Sequence, residues 1–90
     1  MTYWYIYIIR CRNNSLYTGI STDVKRRFKE HSSDPKKGAK YLRGKGPLKL
    51  EWKQKVKDKS LAAKIEYHIK TLPKATKEDI IKKKRKIKLT

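Results

Sequence analysis

The hydrophobic pattern of the chain begins with a run, residues 3–11, in which both sets of alternating positions are apolar or aromatic. One set carries tyrosines and an isoleucine, and the other carries a tryptophan and two isoleucines. A strand that is apolar on both faces is usually central in its sheet and covered on both sides. The pattern therefore predicts a central strand made of Tyr3, Trp4, Tyr5, Ile6, Tyr7, Ile8 and Ile9.

A polar turn follows and leads into a second, antiparallel strand, predicted over residues 16–21. The length of this turn determines which side chains share a face of the sheet. A two-residue turn would place Tyr7 and Tyr17 on opposite faces. A three-residue turn would pair Arg12 with Leu16 and place both tyrosines on one face. We predict the same-face register.

A helix is predicted after the second strand, with Thr22 as its N-cap and its end near His31. Val24 and Phe28 are four residues apart and form the side that packs on the core. Arg27 and His31 have the same spacing and form the neighbouring stripe. The helix thus presents a guanidinium and an imidazole beside its apolar side.

The segment 36–47 combines three glycines with basic residues and one tyrosine. Such a loop can approach a phosphate backbone closely. Lys40, Arg43 and Lys45 are its candidate nucleic-acid contacts. The alternative interpretation is a flexible, solvated connector, and residues 39–42 are predicted to form a short helical turn.

Strict alternation over residues 48–55 predicts a third, one-sided strand at an edge of the sheet. A helix follows, capped by Asp58 or Ser60 and ended by Pro73. Its buried stripe is predicted to contain Leu61, Ile65 and either Ile69 or Leu72, with Glu66 at the border of that stripe. A last helix is predicted from Thr76, where the sequence resembles a capping box.

The composition makes a polyanion the expected partner, because 26 Lys and Arg oppose 8 Asp and Glu and give a formal net charge of +18. Nucleic acid is the first candidate and an anionic membrane surface the second. Cys11 is the single cysteine, so no internal disulfide forms, which fits a reducing compartment and an expected cytoplasmic location. The sequence shows neither a secretion signal nor an apolar run long enough to span a membrane.

The predicted fold brings Tyr7, Tyr17, Arg27, His31 and Glu66 towards one place. Phosphodiester cleavage needs a group that deprotonates water, a cation that stabilises the charge on the phosphate and commonly a divalent metal ion. Each of these residues alone is more often structural: a strand tyrosine usually packs, and a helical Arg or Glu is usually solvated. Composition and periodicity alone indicate a basic α+β domain that binds nucleic acid.

The spacing of the motifs Tyr5-Ile6-Tyr7 and Tyr17-Thr18-Gly19 resembles that of the GIY-YIG nuclease family. The family pattern continues with an Arg ten residues after the second tyrosine, often a His four residues later, and a Glu on a later helix. The chain is most similar to the short, single-domain subgroup, and its catalytic half is similar to the incision domain of the excision-repair protein UvrC. The first motif departs from the family pattern in having Tyr5 in place of Gly, and the second has Thr18 in place of an aliphatic residue.

The resemblance implies a role for each matching residue. Tyr17 would act as general base or position the attacking water, with Tyr7 beside it. Arg27 would stabilise the transition state, and His31 would tune a tyrosine or contact phosphate. Glu66 would hold one Mg²⁺ or Mn²⁺ ion. Gly19 would allow nucleic acid to approach the backbone at the strand exit, which adds it to the candidate nucleic-acid contacts.

These observations predict an α+β fold: a small three-stranded antiparallel sheet, first strand central, flanked by helices. The nuclease-like domain is predicted over residues 1–82 and a basic tail over 83–90. The expected function is metal-dependent endonucleolytic hydrolysis of DNA, including branched or damaged DNA; the alternative is a binding module for DNA or RNA with weak or no turnover. We expect a monomer that binds DNA more readily than RNA, does not bind membranes and takes specificity from a protein partner or from DNA shape.

Overall fold

β1 (Trp4–Arg10) is the central strand of the sheet, as its two-sided apolar pattern predicted. The computed structural model describes residues 2–33 and 38–89. Its antiparallel sheet has the order β2-β1-β3, with β2 at Leu16–Ser21 and β3 at Lys49–Val56. The helices are α1 (Val24–Ser33), α2 (Lys59–Lys70) and α3 (Lys74–Lys83), and a short 3₁₀ turn spans Lys40–Leu42. The predicted fold class and the predicted helical turn are both confirmed.

Each face of the sheet carries its own core. On the first face, which we call the apolar face, Ile6 and Ile8 pack with residues of β3, α2 and α3. On the second, which we call the polar face, Tyr7 and Ile9 pack with α1 and the 3₁₀ turn. Successive residues of a strand point to opposite faces, so β1 contributes to both cores. The fully buried side chains of β1 are Ile6, Tyr7, Ile8 and Ile9.

The pairing of β1 with β2 places Tyr7 and Tyr17 on the same face, as predicted. Tyr7 is paired with Gly19 and Ile9 with Tyr17. The predicted pairing of Arg12 with Leu16 is wrong, because Leu16 pairs with Arg10. The turn is longer than expected: the Cys11 N–H donates to the Ser15 carbonyl and the Asn14 N–H to the Cys11 carbonyl, each over 2.9 Å. The predicted register is therefore shifted by two residues. An even shift keeps each side chain on its own face of the sheet, so the two tyrosines still share a face.

β3 is an edge strand as predicted, but the prediction that it is one-sided is wrong. Ile8 pairs with Trp52 whereas Ile9 pairs with Leu50, so Glu51 is an extra residue in β3. This β-bulge reverses the alternation. Trp52 therefore packs on the apolar face and Leu50 on the polar face.

The helix boundaries differ from prediction at two starts. Asp23, not Thr22, caps α1, since its carboxylate accepts the Arg26 N–H over 3.0 Å. Asp58 caps α2, as one of the two alternatives predicted, by accepting the Leu61 N–H over 2.8 Å. The last helix begins at Lys74 rather than Thr76. Pro73 is its N-cap residue, and the Pro73 carbonyl accepts the N–H groups of Thr76 and Lys77 over 3.0 and 3.1 Å.

The segment after α3 lies along β3. The Trp52 indole N–H donates to the Arg85 carbonyl over 2.9 Å. The Gln54 side chain donates to the Ile87 carbonyl and accepts the Ile87 N–H over 2.8 and 2.7 Å. These bonds attach the segment to side chains of β3, and Ile87 packs against the core of the apolar face. The domain boundary at residue 82 stays a prediction. Within the described residues, every helix is too short or too polar to cross a membrane.

Candidate active site

The polar face holds a cluster of four candidate catalytic residues, Tyr7, Tyr17, Arg27 and His31, which we call the polar cluster. Tyr7 comes from β1, Tyr17 from β2, and the other two from α1. The ring centroids of Tyr7 and Tyr17 are 6.4 Å apart, and that of His31 lies 6.0 and 5.6 Å from them. The i, i+4 spacing on α1 turns Arg27 and His31 towards the same strands.

Gly19 makes room for the Tyr7 ring. A Cβ atom at position 19 would lie 2.6 Å from Cζ of Tyr7, closer than such atoms can approach. Gly19 is buried opposite Tyr7 within β2, whereas the sequence interpretation placed it at a strand exit beside nucleic acid. Glycine is needed at this position because the Tyr7 ring occupies the space that a side chain would fill.

Two hydrogen bonds fix the protonation of His31. Nδ1 accepts the backbone N–H of Ala39 over 2.9 Å and therefore carries no proton. A neutral imidazole then has its proton on Nε2, so Nε2–H donates to the Tyr7 hydroxyl oxygen over 2.8 Å. Burial, and then the nearby charge of Arg27, lower the pKa of His31 to about 4. His31 is thus a neutral hydrogen-bond donor at neutral pH.

The tyrosines of the polar cluster are protonated at neutral pH in the free protein. Burial raises the pKa of Tyr7, and the Tyr17 and Glu66 charges raise it further, while the hydrogen bond and charge of Arg27 lower it. The pKa of Tyr17 is raised first by burial and then by Glu66, and lowered by Arg27. Arg27 also pairs with Glu30 over 3.1 Å. Tyr17 is the less buried phenol of the two, so it is the one more open to solvent.

Glu66 lies on α2, close enough for its charge to act on both tyrosines. Its side chain is 23% exposed and pairs with Lys70, one helical turn later, over 3.5 Å. α2 packs its buried residues Ala62, Ile65 and Ile69 on the apolar face. Glu66 borders that stripe, as predicted.

Comparison with known proteins places this arrangement in a family. The family model described as the GIY-YIG catalytic domain matches residues 3–79. The chain belongs to the GIY-YIG catalytic domain family. Membership indicates a nuclease-like function and nucleic-acid binding, and nucleases of this family generally use divalent metal ions.

Similar proteins match this chain over most of its length. A UPF0213 protein of Vibrio cholerae is 54% identical over 79 residues, which are 87% of this chain and 76% of the relative. The UPF0213 protein YhbQ of Salmonella typhimurium is 54% identical over 81 residues, 90% of this chain and 79% of the relative. The solution NMR structure of a UPF0213 protein from Bacillus halodurans superimposes with a TM-score of 0.57 at 42% identity, covering 89% of this chain and 83% of that one.

In this GIY-YIG domain, the donors near the polar cluster suit a hard cation. Glu66 supplies a carboxylate and the nearby tyrosines supply phenol oxygens, whereas the guanidinium of Arg27 is a cation and cannot be a ligand. Mg²⁺ typically binds through one or two carboxylates, keeps several waters and takes further oxygens from substrate phosphate. Within residues 2–33 and 38–89, no group of three or more His, Cys, Asp or Glu residues could surround a metal ion. The donor set therefore fits one Mg²⁺ or Mn²⁺ ion held mainly by water and substrate.

The basic loop is attached to the polar cluster. Leu42 is buried in the polar-face core, and the Arg12 N–H donates to the Lys45 carbonyl over 2.9 Å. Lys40 and Arg43 are exposed, and Lys45 Nζ lies 3.4 Å from the centroid of the Tyr41 ring. These attachments contradict the alternative of a flexible, solvated connector for residues 38–47, the described part of that loop. Residues 36 and 37 lie outside the described part of the chain.

Sequence reasoning missed three groups near the polar cluster. The backbone N–H of Ala39 sets the His31 tautomer, and no side-chain pattern signals such a bond. Tyr41 stacks on Tyr17 at 5.8 Å between centroids; its place as the only tyrosine in a basic, glycine-containing loop could have drawn attention to it. Lys70 follows Glu66 by four residues, a spacing that predicts an ion pair.

Proposed function

We propose that this protein is an endonuclease that hydrolyses phosphodiester bonds in DNA with one divalent metal ion. The observation that carries the proposal is the convergence of Tyr7, Tyr17, Arg27 and His31 on one face, within electrostatic reach of Glu66. The net charge of +18 supports a polyanionic substrate. Branched or damaged DNA is the substrate class we favour, because so small a domain offers little surface for reading bases.

Tyr17 is the proposed general base, since it is the more solvent-accessible phenol of the polar cluster. Tyr17 first loses its own proton to solvent, because only the phenolate can accept a proton from water. The phenolate then takes that proton as the water oxygen bonds to phosphorus and the bond to the leaving oxygen breaks. A divalent ion at Glu66 would neutralise charge on the phosphate and counter the effect of the carboxylate on the phenols. Arg27 stabilises the charge that develops on the phosphate oxygens.

Tyr7 and His31 position the reacting groups. Because the Tyr7 oxygen accepts a hydrogen bond from His31 Nε2–H, its own O–H can donate to another oxygen, which we propose is that of the attacking water or the phosphate. His31 does not act as an acid or base in this scheme, because its pKa near 4 keeps it neutral. Its role is to orient Tyr7.

The test is cleavage of supercoiled plasmid and of a labelled flap duplex with Mg²⁺ or Mn²⁺. We expect metal-dependent nicking by the wild type, background cleavage by Glu66→Gln, and a rate reduced about 100-fold or more by Tyr17→Phe. The matched controls are Asp79→Asn, which changes a carboxylate on α3, and Tyr67→Phe, which changes an exposed phenol next to Glu66. Full activity of Glu66→Gln would reject the proposed metal ligand.

The raised pKa values of both tyrosines favour one alternative, a DNA-binding module without turnover. That alternative predicts salt-sensitive DNA binding by wild type and Glu66→Gln alike, with cleavage by neither. Tighter binding to structured RNA than to DNA at matched salt would redirect the proposal to RNA.

A further inference from the structure

A small pocket opens at the outer edge of β2, beside Tyr17. β2 is an edge strand, so its outer side faces away from β1. Two lysines from the helices and two tyrosines border this pocket, which we call the β2-edge pocket. Its volume is about 270 Å³, and its lining residues are Leu16, Tyr17, Thr18, Tyr41, Lys70 and Lys77. The lining contains no carboxylate, and the volume is below the usual range for drug-sized ligands.

The two lysines of this pocket differ in their partners, because Lys70 is paired with Glu66 over 3.5 Å. On α3, Lys74 pairs with Glu78 and Lys83 with Asp79. Lys77 is half-buried on the same helix, and no ion pair among residues 2–33 and 38–89 includes it. Lys77 therefore brings to the pocket a positive charge that no ion pair among the described residues offsets, and an anion in the pocket would pair with it.

An aromatic wall closes the other side of the β2-edge pocket. The Tyr41 ring stacks on Tyr17 with an interplanar angle of 24°. Lys45 Nζ lies over the Tyr41 ring, 3.4 Å from its centroid. The wall brings hydroxyl groups, which can donate hydrogen bonds to phosphate oxygens, to the same place as the lysines.

We propose that the β2-edge pocket binds a backbone phosphate of the DNA strand, adjacent to the phosphate that is cleaved. This inference rests on the proposed function. Tyr17 belongs both to the pocket and to the polar cluster, so an occupant lies next to the reacting groups. Lys70 is one helical turn from Glu66, which places the pocket beside the candidate metal ligand as well. The bound phosphate positions the DNA strand so that the neighbouring phosphate, which is the one cleaved, reaches Arg27 and Tyr17.

Binding of a fluorescein-labelled flap duplex, measured by anisotropy in EDTA, tests the pocket without requiring cleavage. The pocket variant is Lys70→Gln with Lys77→Gln. The control variant is Lys64→Gln with Lys82→Gln, which removes the same number of positive charges from exposed positions on the same two helices. Lys77→Gln alone is also measured, because it leaves the Glu66–Lys70 pair intact.

We expect the pocket variant to weaken binding about tenfold relative to the control variant. In a plot of the logarithm of the binding constant against the logarithm of the salt concentration, the steepness of the slope should fall by about one for each phosphate that the variant no longer neutralises. Replacing single phosphates by methylphosphonates then locates the bound phosphate. The wild type should lose affinity at one phosphate, and Lys77→Gln should be insensitive to replacement of that same phosphate.

Equal weakening by the pocket and control variants would overturn the proposal, because it would mean that only total charge matters. Additive losses at every methylphosphonate position would overturn it as well. If one phosphate matters to the wild type but not to Lys77→Gln, and no metal-dependent cleavage is seen, the phosphate site stands and the nuclease function is rejected. If metal-dependent cleavage is seen but no single phosphate distinguishes the wild type from Lys77→Gln, the nuclease function stands and the phosphate site is rejected.

Discussion

The two faces of the sheet differ sharply although one strand supplies both. On the apolar face, Ile6 and Ile8 of β1 pack against Ile65 and Ile69 of α2. On the polar face, Tyr7 of β1 packs beside groups that carry hydroxyl, imidazole and guanidinium functions. The first face removes hydrocarbon from water, which stabilises the fold. The second removes polar groups from water, which costs free energy unless each finds a partner.

The polar face meets that condition through hydrogen bonds. Within the described residues, every buried side-chain nitrogen or oxygen atom has a partner. The chain Ala39 N–H to His31 to Tyr7 links three separate segments in this way. Burial shifts the pKa values of Tyr7 and His31 in directions that keep both groups neutral. The comparison indicates that the apolar face provides the stability that lets the polar face hold titratable groups away from water.

The largest expected effect comes from breaking the apolar face. Ile69→Ala removes a side chain that is fully buried. We expect the free energy of unfolding to fall by about 2–5 kcal/mol, from lost burial and the cavity left behind. Urea denaturation measures the loss. Tyr67→Ala, at a position 73% exposed on the same helix, should change stability by less than about 0.5 kcal/mol; a similar loss for both would contradict the distinction.

Acid should weaken the polar face through His31. The pKa of His31 is lowered from 6.5 to about 4 in the folded protein. Between pH 6.5 and about pH 4, the His31 imidazole binds a proton in the unfolded chain but not in the folded chain. The contribution of neutral His31 to the free energy of unfolding is therefore fully present above pH 6.5 and is lost as the pH falls towards 4. The loss is at most about 3 kcal/mol.

Urea denaturation between pH 7 and pH 4 measures this dependence. His31→Gln removes the titrating group and should flatten the curve over that range. His68→Gln changes the other, exposed histidine and should leave the wild-type slope. A wild-type slope retained by His31→Gln would show that other groups cause the acid sensitivity.

The smallest and most selective change is Ala39→Pro. Ala39 has φ −64° and ψ 136°, which the proline ring allows, but proline has no N–H to donate to His31 Nδ1, and its Cδ atom would take the place of that hydrogen and displace the imidazole. We expect a net loss of about 1–2 kcal/mol, because the missing hydrogen bond and the displaced ring outweigh the gain from a stiffer unfolded chain. ¹⁵N chemical shifts of the His31 ring should show loss of the single Nε2–H tautomer. Ala39→Ser keeps the N–H and should keep that tautomer.

The sequence predicted much of the fold because the strongest signals are local. The apolar run of β1 predicted a central strand, and Asp58 predicted a helix start, because alternation and capping depend on near neighbours. The bulge at Glu51 was missed, since one extra residue in an edge strand leaves no mark in the hydrophobic pattern. The same-face register of Tyr7 and Tyr17 followed from parity although the turn length was wrong.

The sequence alone named the candidate catalytic residues, because their types and spacing resemble a family pattern. They are Tyr7, Tyr17, Arg27, His31 and Glu66. Only the tertiary structure decided how they interact. The His31 tautomer depends on a backbone group eight residues away, and the β2-edge pocket on lysines from two helices. Both depend on contacts between distant segments of the chain. Such contacts are strengthened by burial, and burial exists only once the chain has folded.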